Sequence, residues 1–384
     1  MEVDARHGSV NEGLFLSICL REPAVESNAE GVWVNKSEFR ATCSREYGIE
    51  VDVEHGGVNE SDFSRTCSQG HTVESNAEGV WVNNTTTQQH NNKMTHKYNV
   101  HKDFRLLSLY TAPSGSIIYK LGNAVVNLLP KGMRSNGTLN IYKAENKYII
   151  TPNAPGNAKL PCCLFIHGGG FNFKAAPYHY RLAQEYALST GTVTIMIDYR
   201  LAYNSSYGTP LQDCVDAWEW MCSHEKELGI DINRSTIIGD SAGGFLAIKT
   251  AMSSAIKPDK LMLVYPVIDC NMTSISMNTL DKTPVWNSSL NREMWRSYLK
   301  DNKENSLLDM AGSELEGISG CYIETAEFDC LREEGIAFAH KLEDLGINVC
   351  LHQTKGTIHG FDIMRRSEIT REQIRKRTEW LKYP

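Results

Sequence analysis

The stretch that decides how this chain folds is Ile237-Ile238-Gly239-Asp240-Ser241-Ala242-Gly243-Gly244-Phe245. A β-branched apolar run ends there in Gly-x-Ser-x-Gly and passes into a helix-forming run that reaches Ser254. This order predicts a strand, a sharp turn and a helix, with the serine held on the turn in a strained backbone conformation. The glycines two positions on either side of Ser241 remove side chains that would collide in so tight a turn. The hydroxyl of Ser241 should therefore lie at the carboxyl edge of a sheet, where the first N–H groups of a helix have no backbone acceptor.

A second glycine-rich stretch lies about seventy residues upstream of the serine. The apolar run Leu164-Phe165-Ile166 is typical of a buried strand, and His167-Gly168-Gly169-Gly170-Phe171 follows it at once. Consecutive glycines leave backbone N–H groups uncovered, and such groups can stabilise the oxyanion that develops in acyl transfer. A single Gly-x-Ser-x-Gly is only moderately specific, so the combination of the two motifs carries the prediction of a serine hydrolase.

The serine needs a base that removes its proton, and the usual base is a histidine oriented by a carboxylate. His359 fits this role because it follows the last predicted strand, in a loop with a glycine on either side. For the carboxylate we favour Asp329, which follows an apolar strand-like run and precedes a predicted helix. An N-capping role of Asp329 is the structural alternative, and Glu327 is the competing acid. The order Ser241, Asp329, His359 along the chain places each group after a successive strand.

The rest of the sequence from about residue 94 alternates between strand-like and helical runs. This alternation predicts an α/β fold with a mostly parallel, doubly wound sheet. Two further helices are predicted between residues 102 and 129, separated by Pro113-Ser114-Gly115. Residues 275–311 interrupt the alternation with a polar helix at 289–300, and such an insertion can cover the site as a lid. The strands are predicted at 147–151, 162–167, 192–198, 236–239, 261–265, 321–325 and 349–352, and the other helices at 178–189, 211–228, 241–254, 331–345 and 367–381.

Residues 1–83 contain a tandem repeat with a period of 24 residues. Each unit has few large apolar residues and many Glu, Asn and Ser, so stacked units would bury little apolar surface. We predict a disordered or weakly ordered region, with a small repeat module as the second interpretation and a metal site formed by the cysteines as a distant third. The polar residues 84–93 are predicted to form a linker before a catalytic domain at 94–384. The repeated positions include Val10, Val34, Val58 and Val82, and Cys19, Cys43 and Cys67.

Composition and charge narrow the function classes. The chain has 384 residues, of which 41% are hydrophobic, as in ordinary globular proteins. It has no apolar run long enough to span a membrane and no secretory signal, so we expect a cytoplasmic protein whose 11 cysteines are reduced. The net charge of −7 is concentrated in residues 1–93, with 7 Lys/Arg against 15 Asp/Glu, while residues 94–384 hold 32 against 31. Because no basic patch stands out, we expect neither nucleic acid nor membrane as a partner.

Five motifs in residues 94–384 carry a resemblance to a known family. They are His167-Gly168-Gly169-Gly170-Phe171, Asp198-Tyr199-Arg200-Leu201-Ala202, Gly239-Asp240-Ser241-Ala242-Gly243-Gly244, Asp329-Cys330-Leu331-Arg332-Glu333-Glu334 and His359-Gly360-Phe361. With them the sequence resembles the hormone-sensitive-lipase-like branch of the α/β hydrolases, which includes bacterial acetyl esterases. The resemblance implies the α/β-hydrolase fold and serine-dependent hydrolysis of carboxylic esters, with no metal and no cofactor. It further implies an oxyanion hole formed by the N–H groups of Gly168, Gly169 and Ala242, and a helical cap built from about residues 98–130 and 275–311.

Several functions remain open on this fold. A carboxylesterase acting on a small-molecule ester is the first hypothesis. We expect a preference for short acyl chains, because residues 275–311 are interrupted by polar residues and lack the broad apolar surface of an interfacial lipase. Aromatic residues such as Trp286 can also narrow the acyl pocket, although ordinary packing within the cap is the favoured role of Trp286. An amide or peptide hydrolase would use the same catalytic groups, and a non-catalytic binding protein could retain the fold. The intact set of Ser241, Asp329 and His359 argues against a pure binder. A homodimer and an unknown partner of the N-terminal repeats are also left open.

A protein that begins at Met94 should fold and hydrolyse p-nitrophenyl acetate like the full chain, because every catalytic motif lies downstream of the repeats. Turnover and thermal unfolding of the two proteins would be compared side by side. An insoluble or inactive shortened protein would show that residues 1–93 belong to the catalytic fold.

Overall fold

In the computed structural model, residues 98–153 and 158–382 are described in full, together with the backbone of eight short strands between residues 2 and 83. The chain divides into two units, Met1–Thr95 and His96–Pro384. The boundary lies within two residues of the predicted start of the catalytic domain at Met94. The predicted linker at 84–93 lies outside the described residues.

In the first unit the repeated sequence gives a repeated backbone element. The copies of Val-Glu-Ser-Asn-Ala-Glu-Gly-Val-Trp-Val each form an antiparallel strand pair, in which Asn28 pairs with Gly31 and Asn76 with Gly79. Most residues between the strands lie outside the described part, so the predictions of weak order and of a cysteine metal site stay predictions. The strands are β1 (Glu2–Asp4), β2 (Leu16–Leu20), β3 (Val25–Asn28), β4 (Gly31–Val34), β5 (Phe39–Cys43), β6 (Glu50–Val53), β7 (Thr72–Asn76) and β8 (Gly79–Asn83).

The second unit is built on an eight-stranded sheet with the order β16-β15-β14-β13-β11-β12-β10-β9. Strands β11 to β16 pair in parallel, while β10 pairs antiparallel with both β9 and β12. The parallel strands place their carboxyl ends along one edge of the sheet, which is where ligand sites form in open α/β folds. The strands are β9 (Leu139–Ala144), β10 (Lys147–Pro152), β11 (Leu160–Ile166), β12 (Val193–Ile197), β13 (Ile230–Asp240), β14 (Lys260–Val264), β15 (Gly320–Phe328) and β16 (Asn348–Ile358).

The described residues of this unit contain nine α-helices. None of them is long and apolar enough to cross a membrane. The two core clusters lie on opposite faces of the sheet, so the predicted mostly parallel, doubly wound α/β architecture is confirmed. The helices are α1 (Ser116–Leu128), α2 (Pro177–Thr190), α3 (Thr209–Ser223), α4 (Glu225–Leu228), α5 (Ala242–Ser253), α6 (Ile275–Thr279), α7 (Ser288–Leu299), α8 (Arg332–Asp344) and α9 (Glu368–Leu381).

Two parts of the sequence prediction differ from the structure. Strand β9 was not predicted; its alternating burial shows an edge strand whose polar outward residues conceal the apolar pattern. The first of the two helices predicted between residues 102 and 129 is also wrong, because the structure has two single 3₁₀ turns there, Lys102–Phe104 and Leu107–Leu109. The turns end at the extended Tyr110, which pairs through its carbonyl with Val285 N–H, so backbone pairing across the chain replaces helix continuation.

A fully buried ion cluster connects the last helix to the sheet. Arg377 of α9 donates to Glu324 Oε2 of β15 at 3.0 Å and to Asp362 Oδ2 at 3.0 Å, and all three residues have zero exposure. The hydroxyls of Tyr265 and Tyr322 donate to the same two carboxylates at 2.8 and 2.9 Å. Since Asp362 lies three residues after His359, this cluster attaches the loop of that histidine to the body of the sheet.

Substitution of Arg377 by Met should destabilise the second unit by about 3–5 kcal/mol, because two buried carboxylates lose their cation. Arg375→Met is the matched control on the same helix, since its side chain is about half exposed and its loss should change the unfolding free energy little. Urea unfolding of both variants measures the difference. Equal stability of the two variants would mean that the buried cluster contributes nothing specific.

Candidate active site

Ser241 lies on a strained turn between β13 and α5. Its backbone angles are φ 53° and ψ −123°, outside the regions that residues with a side chain usually occupy. The turn is fixed from both sides: Ser241 N–H donates to Val264 O at 2.9 Å, and Ser241 O accepts from Val267 N–H at 3.0 Å. A Cβ on Gly239 would overlap the carbonyl of Gly243, so glycine is required where strand and helix come closest. The turn therefore raises the serine side chain at the carboxyl end of the sheet, as the sequence predicted.

The structure brings Ser241, His359 and Asp329 together in one hydrogen-bonded row. His359 Nε2 lies 2.9 Å from Ser241 Oγ, and His359 Nδ1 lies 2.7 Å from Asp329 Oδ2. All three residues are buried. Each one follows a different parallel strand, β13, β15 or β16, and those three strands lie close together in the sheet. Three groups that are 118 and 30 residues apart in sequence thus meet at one edge of the sheet.

Asp329 accepts two hydrogen bonds, one from the histidine ring and one from a backbone N–H. Its Oδ1 accepts from Leu331 N–H at 3.0 Å. The carboxylate therefore binds the backbone just before α8 as well as the ring of His359. The competing acid points elsewhere: Glu327 accepts from Gly356 N–H and lies 3.9 Å from Lys355 Nζ. Of the two carboxylates weighed from the sequence, Asp329 is the one in contact with the imidazole.

The glycine loop after β11 differs in one detail from the expected oxyanion hole. Gly168 N–H donates to Asp240 Oδ1 at 3.0 Å, so this group is occupied by a side chain and does not face Ser241 as a free donor. Gly169 and Gly170 both have positive φ, 112° and 58°, and both border the cavity beside Ser241. Within the described residues, the N–H groups of Gly169, Gly170 and Ala242 have no acceptor. The expectation for Gly168 is thus wrong, because its N–H is already bonded to Asp240, while the expectation for Gly169 and Ala242 stays a prediction.

Asp240 is a buried anchor that the sequence analysis missed. Its Oδ2 accepts from His179 Nε2 at 3.0 Å, and the His179 Nδ1 accepts from Ala176 N–H at 2.9 Å, which assigns the ring proton to Nε2. Burial raises the pKa of Asp240, but the neighbouring His179 and the Gly168 N–H outweigh burial and hold the pKa below its usual value. An ionised Asp240 therefore ties the glycine loop to the residue before the serine.

His167, the first residue of the glycine loop, is a structural residue. Its ring is fully buried and stacks on Tyr199 with ring centroids 4.4 Å apart. Burial and the neighbouring His179 lower the pKa of His167 to about 4, so the ring is neutral at physiological pH. Its Nδ1 lies 2.7 Å from Gly168 O, which fixes the start of the loop.

A small cavity of about 110 Å³ opens beside the serine. Trp286 forms one wall: its indole lies against Gly170, and its ring centroid is 5.9 Å from that of His359. Both segments expected to form a cap border the cavity, since Ala112 N–H donates to Val285 O at 2.9 Å and both of these residues line it. The other lining residues are Gly169, Phe173, Tyr178, Asp240, Ser241, Tyr265, Gly360 and Ile363.

Chemically, this arrangement suits attack by a hydroxyl on an acyl carbon. The imidazole can accept the serine proton, and the carboxylate can stabilise the resulting imidazolium. The N–H groups that have no acceptor within the described residues belong to two glycines beside the cavity and to the residue after the serine. The sequence shows all three glycines as candidate donors, but it does not show that the Gly168 N–H bonds to Asp240, a contact across 72 residues.

Known proteins resemble the part of the chain that carries this site. A sequence profile of the family described as alpha/beta hydrolase fold matches residues 163–363. Ethyl acetate hydrolase of Pseudomonas putida is 29% identical over 217 residues, which cover 54% of this chain and 68% of that protein. Esterase LipI of Mycobacterium tuberculosis is 28% identical over 220 residues, which cover 55% of this chain and 68% of that protein.

The solved structures agree with this match at the level of the fold. A thermostable esterase from Pseudomonas putida ECU1011 superimposes with a TM-score of 0.65 at 24% identity, covering 74% of this chain and 97% of that one. The chain spans about two thirds of the length of the curated relatives that it matches. The resemblance seen in the sequence motifs and the expected fold are both confirmed.

Proposed function

Because this chain belongs to the α/β-hydrolase family, we propose that it is a serine carboxylesterase that hydrolyses short-chain acyl esters. The observation that carries the proposal is the row Ser241–His359–Asp329, with spacings of 2.9 and 2.7 Å, beside a small cavity. Its relatives bear names such as ethyl acetate hydrolase, carboxylesterase and arylesterase, which supports an ester as the substrate class.

In the proposed acylation step, Ser241 Oγ attacks the ester carbonyl carbon while His359 Nε2 takes the hydroxyl proton. Asp329 keeps the proton of His359 on Nδ1, so that Nε2 faces the serine, and its charge stabilises the imidazolium. The tetrahedral intermediate then collapses, and His359 gives its proton to the alcohol oxygen as the carbon–oxygen bond breaks. The alcohol leaves, and an acyl group remains on Ser241.

In the proposed deacylation step, water replaces the alcohol in the same geometry. His359 removes a proton from water, the hydroxide oxygen attacks the acyl carbon, and the proton returns to Ser241 Oγ as the carboxylic acid leaves. Both steps pass through an oxyanion. We assign its donors to the N–H groups of Gly169, Gly170 and Ala242, because the Gly168 N–H is already bonded to Asp240.

The preference for short acyl groups rests on the size of the cavity. A volume of about 110 Å³ is well below the roughly 300 Å³ at which drug-sized ligand pockets begin. Trp286 closes the cavity on the side of Gly170, and its N–H donates to Asn291 Oδ1 at 3.2 Å, which fixes the indole in place. A long acyl chain would have to displace this wall.

Ser241→Ala and His359→Ala should each reduce kcat for p-nitrophenyl acetate by about 10⁴-fold or more, since the triad acts as a unit. Asp329→Asn should be severe, while Glu327→Gln should leave kcat within about threefold of the parent because Glu327 does not touch the imidazole. Steady-state kinetics would measure kcat of the four variants, and labelling by an organophosphate would measure the reactivity of Ser241. A larger loss in Glu327→Gln than in Asp329→Asn would reassign the acid.

The ratio kcat/KM for p-nitrophenyl esters should be highest between acetate and butyrate and should fall for longer acids. Trp286→Ala should move the maximum to longer acyl chains, because it opens the wall beside Gly170. Trp380→Ala, on α9 and packed on Tyr322, is the control and should not move it. A maximum at octanoate or beyond in the parent protein would refute the short-acyl assignment, and cleavage of aryl amides without ester turnover would favour an amide hydrolase.

A further inference from the structure

Large apolar side chains are exposed in one short segment of the second unit. Nine of the 15 such side chains among the described residues lie between residues 106 and 129, which argues for one surface and against scattered exposure. We call this set the α1 surface. It consists of Leu106, Leu109, Tyr110, Ile117, Ile118, Leu121, Val125, Leu128 and Leu129.

Helix α1 presents its apolar face outward because its other face is fixed to the glycine loop. Asn123 donates from Nδ2 to Asn172 O at 2.9 Å and accepts from Lys174 N–H at 2.8 Å. Tyr119, one turn earlier, packs edge-on against Phe173 with ring centroids 5.1 Å apart. Ile117, Leu121 and Leu128 lie on the opposite side of the helix at helical spacing, with exposures of 73%, 64% and 86%.

The segment that carries the α1 surface has cations and no carboxylates. No Asp or Glu occurs between Asp103 and Glu145, and Asp103 itself accepts from the Ser367 hydroxyl at 2.9 Å. Three exposed cations of this segment form no ion pair within the described residues: Arg105, Lys120 and Arg134. Lys102 instead lines a surface depression together with Asp103, Glu368 and Glu372. An apolar helix face accompanied by Lys and Arg is the pattern of a helix that lies in a lipid–water interface.

We propose that the α1 surface docks on an anionic phospholipid bilayer, with α1 lying in the plane of the interface. The apolar face would enter the boundary between headgroups and acyl chains, and Arg105, Lys120 and Arg134 would face anionic headgroups. The assignment runs against the sequence-based expectation of no membrane partner. It does not depend on the proposed esterase chemistry, because none of these nine side chains lines the cavity beside Ser241.

The docked orientation would bring the cavity close to the bilayer. The buried face of α1 rests on Phe173, which lines the cavity, and Ala112 precedes the helix and lines the cavity as well. An ester dissolved in the membrane would therefore have a short path to Ser241, whereas a water-soluble ester would not need the surface at all.

The test is cosedimentation of the full chain with vesicles of phosphatidylcholine containing phosphatidylserine, and with vesicles of pure phosphatidylcholine. We expect binding to the anionic vesicles that weakens at high salt. Replacement of Ile117, Leu121 and Leu128 together by Ser should weaken this binding at least about tenfold. The control carries Leu188→Ser and Ile256→Ser, two residues of comparable exposure outside the α1 surface, 54% and 51%, and should bind like the parent.

A charge variant tests the electrostatic part separately. Lys120→Glu with Arg134→Glu should abolish the preference for anionic vesicles, while Lys355→Glu, whose side chain is 85% exposed elsewhere, should not. Thermal unfolding followed by circular dichroism checks that every variant is folded. Ser241→Ala should bind vesicles like the parent, so a failure of the esterase proposal leaves the docking result unaffected.

Three outcomes would overturn the proposal. The first is no vesicle binding by the parent, and the second is equal binding to anionic and neutral vesicles. The third is that the parent binds no vesicles but self-associates in sedimentation velocity, and that the triple Ser variant does not self-associate. This result would assign the α1 surface to a contact between two copies of the chain.

Discussion

The positive φ of Ser241 is the constraint on which the rest of the site depends. A residue with a side chain adopts this conformation only when its surroundings enforce it, and here the neighbouring strand and the following loop hydrogen-bond both of its backbone polar groups. The enforced turn has two consequences. It points the hydroxyl toward His359, and the first residue of α5 follows it directly, so one local strain positions both the proposed nucleophile and one of the proposed oxyanion donors.

Two buried anions hold the remaining parts of the site around this turn. Asp240, the residue before the serine, accepts the Gly168 N–H of the glycine loop and the Nε2–H of His179. Asp362 connects the loop of His359 to Arg377 and receives the hydroxyl of Tyr265, whose ring lies 4.8 Å from the imidazole. Each anion is stabilised by donors from distant segments, so each fixes one half of the site in position.

The sequence was informative where function depends on the ends of strands and uninformative where it depends on contacts between them. Short motifs identified Ser241, Asp329 and His359, because parallel strands bring successive strand ends to a common edge. The family resemblance placed Gly168 among the oxyanion donors, because nothing local reveals that its N–H bonds to a carboxylate 72 residues away. The helix expected before Pro113 failed for a similar reason: pairing of Tyr110 with Val285 competes with local helix propensity. Edge strand β9 was missed because its outward residues are polar and conceal the apolar pattern. The lack of carboxylates around α1 was missed because net charge averages over many residues.

Helix α1 illustrates why a cap can do more than close a pocket. Its inner face uses Tyr119 and Asn123 to hold the glycine loop at Asn172–Lys174, directly after the N–H groups assigned to the oxyanion. Its outer face leaves a row of apolar side chains in water, and apolar area that folding does not bury remains available for burial against something else. One helix of 13 residues therefore carries both the contacts that hold the glycine loop and the apolar side chains that folding leaves in water.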